Sequence, residues 1–288
     1  MLKASTIQLL RIKFSFFLMP VYWFALSQIN NINVLNAIII FVILHLFIYP
    51  ASNAYNSYMD KDTGSIGGVE KPMVATKQLF YISILLEIIG VMVGLFISHY
   101  FVVALLLYIA ASRAYSYRGI RLKKYPIISF LVAIVFQGGV VYFMVFHGSN
   151  ALQPIHISIL PMVASTLMVG SFYPLTQIYQ HQQDEADGIT TISMLLGYKG
   201  TFVLSAICYF ISMLFMGYYF ASNLELDRFL VLVLCMLPTL LFFIWWFFAV
   251  KKNKAAANFK NAMNMNWIAG CCSNVGFLII LLMKENFE

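Results

Sequence analysis

Charge is scarce in this chain: Asp, Glu, Lys and Arg together supply 10% of its 288 residues, against about 25% in an average soluble domain. So few ionic groups cannot cover a water-facing surface, and a soluble globular fold is excluded. Cysteine is scarce too. Cys208, Cys235, Cys271 and Cys272 all lie inside apolar runs, with neither the pairing of a secreted disulfide framework nor the spacing of a zinc site, so they are read as packing residues. Acidic residues number only 11, so every carboxylate has to be accounted for. What the chain has is hydrocarbon: 61% of residues are hydrophobic, with 26 Phe and 17 Tyr and a mean hydropathy of +0.84. The apolar residues fall into runs long enough to cross a hydrocarbon core of about 30 Å, which takes roughly 20 helical residues.

These runs predict an all-α polytopic membrane protein with about nine spans, near Phe14–Gln28, Val34–Ala54, Leu79–Ser98, Phe101–Ala111, Ile127–Phe146, Ile155–Tyr173, Thr201–Ala221, Phe229–Val250 and Met265–Met283. The fourth run is short, but helix can continue to Tyr117 if the cationic head of Arg113 reaches toward water. The basic start (Lys3, Arg11, Lys13) ahead of the first run has the flavour of a signal peptide, yet no small-x-small cleavage site follows, and it is read as a retained span. Orientation follows from Lys and Arg, which concentrate in cytoplasmic loops. With an inside start, 16 of the 18 basic residues fall on one face, leaving only Arg228 and Lys284 outside it. The net charge of +7 is therefore a matter of topology and of anionic lipid, and nucleic acid is not a partner. The expected location is a bacterial cytoplasmic membrane, with the N-terminus and the polar loops cytoplasmic.

The loops on that basic face carry the chemistry, near residues 53–77, 112–125 and 177–200 of what reads as a single domain over residues 1–288. After the second span, Asn53, Asn56 and Asp60 recur at i, i+3, i+7; after the sixth, Gln180, Asp184 and Asp187 recur at i, i+4, i+7. Each set would line one helix face. Gly64 and Gly188 suit helix C-termini, which places Asp62 at a frayed end. Two carboxylate clusters at the membrane boundary repel one another unless a cation joins them. All-oxygen ligands of this kind suit Mg²⁺, which keeps several waters and commonly takes one or two carboxylates plus substrate phosphates; Asn56 and Gln180 add neutral oxygens. The alternative is that these acids are solvated and paired with Lys61 and Lys71. The loop after the fourth span supplies opposite charge: Arg113, Arg118, Arg121, Lys123 and Lys124, with Tyr115 and Tyr117. A basic loop is the default for topology, and the tyrosines could be interface aromatics. Cationic and phenolic donors are also what a departing diphosphate requires.

At these residues the sequence resembles the UbiA superfamily of intramembrane prenyltransferases. That family carries Asn-Asp-x-x-Asp-x-x-x-Asp after its second span, Asp-x-x-x-Asp after its sixth and a Tyr/Lys loop after its fourth. Asn56 and Asp60 match the first motif, Asp184 opens the second, Lys71-Pro72 resembles the basic-Pro pair after the first motif, and Tyr117 and Lys123 fall where the family's diphosphate contacts lie. The resemblance implies a helix bundle around a central cavity, open laterally to lipid, with Mg²⁺ bridging carboxylates to an isoprenoid diphosphate and a lipophilic acceptor alongside. It implies Asn56, Asp60, Asp62, Asp184 and Asp187 as metal ligands, and Asp60, Asp184, Lys123 and Tyr117 as catalytic. Asn53, Asn56, Lys71, Arg121 and Gln180 would bind substrate. The chain departs from the pattern at Ser57, at Gly64 and in the one-residue shortening at Asp187, so a catalytically weakened member is an alternative reading.

A transporter or channel is the rival from another class, but it predicts acids near the bilayer midplane within broken helices, whereas these cluster at span ends. Other intramembrane polar groups, Glu87, His45 and Gln137, are candidates for function by default and equally for simple pairing with neighbours.

Overall fold

The computed structural model describes residues 1–61 and 64–285; the Asp62 expectation lies outside the described residues. Within them the chain is helical, and its only strand-like pairings are the isolated bridges Ile32–Asn150 and Ile66–Val69. Eight segments are long and apolar enough to cross a membrane: Ala4–Ser27, Val34–Asp60, Lys77–Gly94, Pro126–Ser149, Ile159–Gln177, Ile192–Ser222, Leu226–Lys252 and Phe259–Lys284. The helix His99–Ser116 stands between the third and fourth of these and is counted here as a further span, giving about nine among the described residues. They are numbered one to nine in chain order below.

Local sequence explains where spans start and bend. The side chains of Asn33 and Ser98 accept from the backbone N–H groups of Asn36 and Phe101 at 3.0 Å each, satisfying donors that the first helical turn leaves orphaned. Spans two and five contain π-helical turns, Ile43–Ile48 and Val135–Val140, in which one extra residue is accommodated and the side-chain register shifts. In span five this turn holds Gly138, where a Cβ would lie 2.5 Å from Thr166 Cα; only glycine lets spans five and six approach that closely.

Two boundaries differ from expectation. The first span begins at Ala4 rather than Phe14, and Arg11, at φ 46°, breaks it where the guanidinium reaches back to the carbonyls of Gly67 and Asn53. The fourth span is longer than the apolar run because Arg113 is neutralised within the bundle. Its guanidinium bonds both carboxylate oxygens of Glu87 (2.5–3.1 Å) and lies over the Tyr55 ring, 3.8 Å from its centroid. Glu87 thus joins span three to span four, with Tyr55 of span two beneath the pair. His45 is buried among Tyr22, Phe41 and Tyr49, inside the main core. Trp246 is fully buried and donates to the Ala256 carbonyl at 2.8 Å, whereas Trp245 faces outward with Leu234 and Leu241, as a lipid-facing stripe should.

Candidate active site

The last turns of span two run against span four through a polar ladder. Ser52 Oγ lies 2.6 Å from Ser112 Oγ. One turn on, the Asn56 amide donates both to Ser116 Oγ and to Asp60 Oδ2, each at 2.9 Å. These rungs repeat every four residues on both helices, so one face of span two is held in register against span four. The Asn56 bond fixes the Asp60 carboxylate in one orientation. The helix ends one residue later, with Lys61 rather than Gly64 in the left-handed conformation (φ 54°).

The other oxygen of that carboxylate faces the loop after span four. Lys123 Nζ sits 2.5 Å from Asp60 Oδ1, and the two side chains are only 10% and 5% exposed. Lys123 is carried there by the turn Leu122–Lys124, which follows Arg121 in the left-handed region (φ 50°). Arg121 is itself buried and pairs with the Asp187 carboxylate, so one loop is fastened to both acidic segments.

The second acidic segment does not form the continuous stripe that its spacing suggests. The helix there is short, His181–Ala186, with Gln180 and Asp187 as its flanking caps. Gly188, at φ 66°, terminates it. Asp184 therefore faces the same cavity as Asp60, while Asp187 turns toward Arg121. Gln180 donates to the Ser65 carbonyl at 3.1 Å, tying the two acidic loops together. Next to this helix, His181 bonds Ser193 Oγ at 2.8 Å and stacks on Tyr198; burial pushes its imidazole below the ordinary value.

Asp60 and Asp184 open into a cavity of about 210 Å³ that also receives Asn53, Asn56, Lys123 and Gln180. The structure thus brings together six of the residues singled out from sequence. Four others stand elsewhere. Asp187 and Arg121 form the ion pair behind the lining. Tyr117 is exposed and lies outside the lining, and Lys71 is exposed, with its carbonyl accepting from Gln8 at 3.2 Å. Sequence reasoning passed over several lining residues: Arg11, Tyr108, Tyr173, Thr176 and Gln177. Tyr115, read as an interface aromatic, is half-buried in the wall with its hydroxyl 2.5 Å from that of Tyr173. Arg11 looked like topology charge, and nothing in the local pattern marked it otherwise.

The donor set can be tested for a cation. Asp60, Asp184 and the amide oxygens beside them are hard oxygen ligands, and among the described residues no three His, Cys, Asp or Glu side chains converge into a closed cage. A partial shell of carboxylates that leaves positions for waters and phosphate fits Mg²⁺. Deeper in the bundle a second chamber of about 150 Å³ meets the first at Phe14, Gln137, Tyr173 and Thr176, and it is walled mostly by apolar residues such as Phe17, Val21, Met168 and Phe172. A polar head compartment thus joins an apolar one.

Comparison with known proteins agrees with this architecture. The UbiA prenyltransferase family profile matches residues 16–268. A UbiA homolog from Aeropyrum pernix K1, in its apo form, superposes with a TM-score of 0.72 at 17% identity over 93% of this chain and 98% of that one. A UbiA homolog from Archaeoglobus fulgidus, bound to DMAPP and Mg²⁺, gives 0.65 at 15% identity over 96% and 99%. A digeranylgeranylglyceryl phosphate synthase structure gives 0.63 at 15% identity, covering 98% of each chain. A comparison with curated protein sequences gives no match.

Proposed function

Because this chain belongs to the UbiA prenyltransferase family, we propose that it transfers a prenyl group from an isoprenoid diphosphate to a lipophilic acceptor within the membrane, using Mg²⁺ held by Asp60 and Asp184. The observation that carries this reading is the convergence of Asp60, Asp184 and Lys123 on one cavity from three different loops. The UbiA homolog from Archaeoglobus fulgidus with DMAPP or GPP and Mg²⁺ bound supports the same assignment of head group and ion.

Bound there, Mg²⁺ would neutralise the diphosphate and favour its departure as a leaving group. The chain's own residues do the rest. Asn56 holds Asp60 in one rotamer, so the carboxylate is pre-set rather than reorganised at each turnover. Lys123 exchanges its contact with Asp60 for the diphosphate oxygens, where negative charge grows as the carbon–oxygen bond lengthens. Arg121, fixed to Asp187, keeps the turn that carries Lys123 in place. Tyr108, Tyr115, Phe136 and Phe14 present aromatic groups to the cavity, and their faces favour the allylic cation that forms. The acceptor captures that cation and loses a proton. The shared basic end of the bundle, with the motif loops, is the cytoplasmic side in this reading.

Binding of geranyl diphosphate to the purified protein in nanodiscs, with Mg²⁺ or with EDTA, tests the assignment. Mg²⁺-dependent binding lost in Asp60→Asn and in Asp184→Asn is the expected result. Equal binding with and without chelator, or in all three proteins, would sink it.

A further inference from the structure

Asp184 rides on a helix with little to hold it in place. His181–Ala186 is six residues long and has no buried residue, and isolated helices shorter than about 12–15 residues are marginal in water. Its direction must therefore come from what grips it. Gln180 is tied to the Ser65 carbonyl and Asp187 to Arg121, but both of those partners are themselves on loops. His181 reaches a membrane span. Its Nε2 lies 2.8 Å from Ser193 Oγ, Ser193 Oγ lies 2.9 Å from Thr201 Oγ1, and Thr201 Oγ1 donates to the carbonyls of Gly197 and Ser193 at 2.8 and 3.2 Å.

The last members of this chain fix its direction. A carbonyl only accepts, so the single proton of the Thr201 hydroxyl is committed there; Ser193 then donates to Thr201, and His181 donates from Nε2 to Ser193. The network thereby assigns the imidazole tautomer. Ser193 and Thr201 are fully buried, where each hydrogen bond is stronger than it would be in water. The His181 ring also stacks on Tyr198, with 5.1 Å between centroids and 6° between planes, and Tyr198 packs with Leu175, Ile178, Phe202 and Trp246. The chain exists because span seven is kinked. On a straight helix, residues eight positions apart stand about 12 Å apart along the axis, yet the hydroxyls of Ser193 and Thr201 touch. Gly197, at φ 65° and ψ 176° within Ile192–Ser222, adopts a backbone conformation open essentially to glycine, and it folds residues 192–196 back against the span. Thr191, the N-cap of that folded turn, lines the polar cavity.

We propose that the kinked start of span seven anchors the second acidic segment, and that His181 is a positioning residue that holds Asp184 in the cavity through Ser193, Thr201 and the Gly197 carbonyl. The inference rests on the reading of Asp184 as an ion ligand. Its consequence is that ion affinity is set in part by four residues that stand outside the cavity lining.

Mn²⁺ titration followed by electron paramagnetic resonance, on the full chain in nanodiscs, reads this out. His181→Phe keeps the stacked ring and loses the donor; it should weaken Mn²⁺ binding roughly tenfold, the low end for losing a group that orients a metal ligand. His181→Gln, which keeps a donor of similar reach, should bind Mn²⁺ like the wild type. Thr201→Val and Gly197→Ala break the chain at its far end and should each give the same loss as His181→Phe, although a Cβ at position 197 meets nothing within 4 Å. The losses should not add to one another, and His181→Phe should weaken binding no further in an Asp184→Asn protein, because all of them act through that one carboxylate. A His181→Phe protein with wild-type affinity, alongside a weakened Asp184→Asn, would overturn the proposal. So would an equal further loss in the Asp184→Asn background, which marks a general distortion of the bundle. Wild-type affinity in Asp184→Asn itself would overturn the assignment of the ion to that residue, a failure distinct from the other two.

Discussion

Replacing Lys123 with Met should move the affinities for ion and diphosphate in opposite directions. Lys123 Nζ lies 2.5 Å from Asp60 Oδ1, with both side chains at least nine-tenths buried, so the ammonium engages the carboxylate that a divalent ion would need. Methionine keeps the length of the side chain and removes its charge. A hydrogen bond to a charged group contributes about 1.5–3 kcal/mol. Diphosphate affinity should therefore fall by roughly 10- to 150-fold, since the departing group loses that donor. The ion alone should bind more tightly, by up to the same factor, because it no longer competes with the ammonium. Removing the cation also leaves Asp60 buried without a counter-charge, which costs up to about 3–5 kcal/mol where water is excluded; a bound divalent ion cancels that cost. Titration with Mn²⁺ followed by electron paramagnetic resonance gives the first affinity, geranyl diphosphate binding the second, and thermal unfolding with and without Mn²⁺ the third quantity. Mn²⁺ binding unchanged or weakened in Lys123→Met would show that Lys123 and the ion do not share Asp60, and the proposed exchange would fail.

Other perturbations follow from the same geometry. Arg113→Ala leaves Glu87 unpaired inside the bundle and should cost about 3–5 kcal/mol, with the double replacement Arg113→Met and Glu87→Met recovering most of it; equal thermal stability of the single and double variants would refute the pairing. Gly138→Ala should destabilise by about 1–3 kcal/mol, since its Cβ meets the Thr166 backbone and cannot be accommodated without moving a span. Gly188→Ala meets no atom within 4 Å, so any loss there reflects only its left-handed backbone and should be smaller in a thermal melt. His181 is held below its ordinary value of 6.5 by burial, so the folded state resists its protonation. Stability should decline as pH falls below 6.5, the ordinary imidazole value, and His181→Gln should flatten that decline.

The membrane class and the approximate number of spans could be read from composition and run length alone, because the bilayer imposes one length on every helix that crosses it. That Asp60 and Asp184 would face one cavity was legible for a related reason: carboxylates are rare in this chain and costly at membrane depth, so each one present is a signal. Asn56 was legible by its helical spacing from Asp60, and the structure adds that its amide holds that carboxylate directly. Periodicity misled at Gln180, Asp184 and Asp187. It presupposes a helix that runs on, and this one lasts six residues. Lys123 and Tyr117 stood equally well in the sequence, six positions apart on one loop, yet one reaches the cavity and the other faces outward.

What sequence determined here are properties set by the solvent and by local periodicity: which segments cross the membrane, which face is basic, and which short loops hold the carboxylates. Tertiary structure alone decided which residues meet. Arg11, Tyr115, Tyr173 and Gln137 belong to four different spans and converge on one wall, and Asn266, some 250 residues beyond Phe14, shares a chamber with it. No local pattern encodes such meetings, because they depend on how the spans pack, on the close approach at Gly138 and on the register shift of the π-helical turn that holds it.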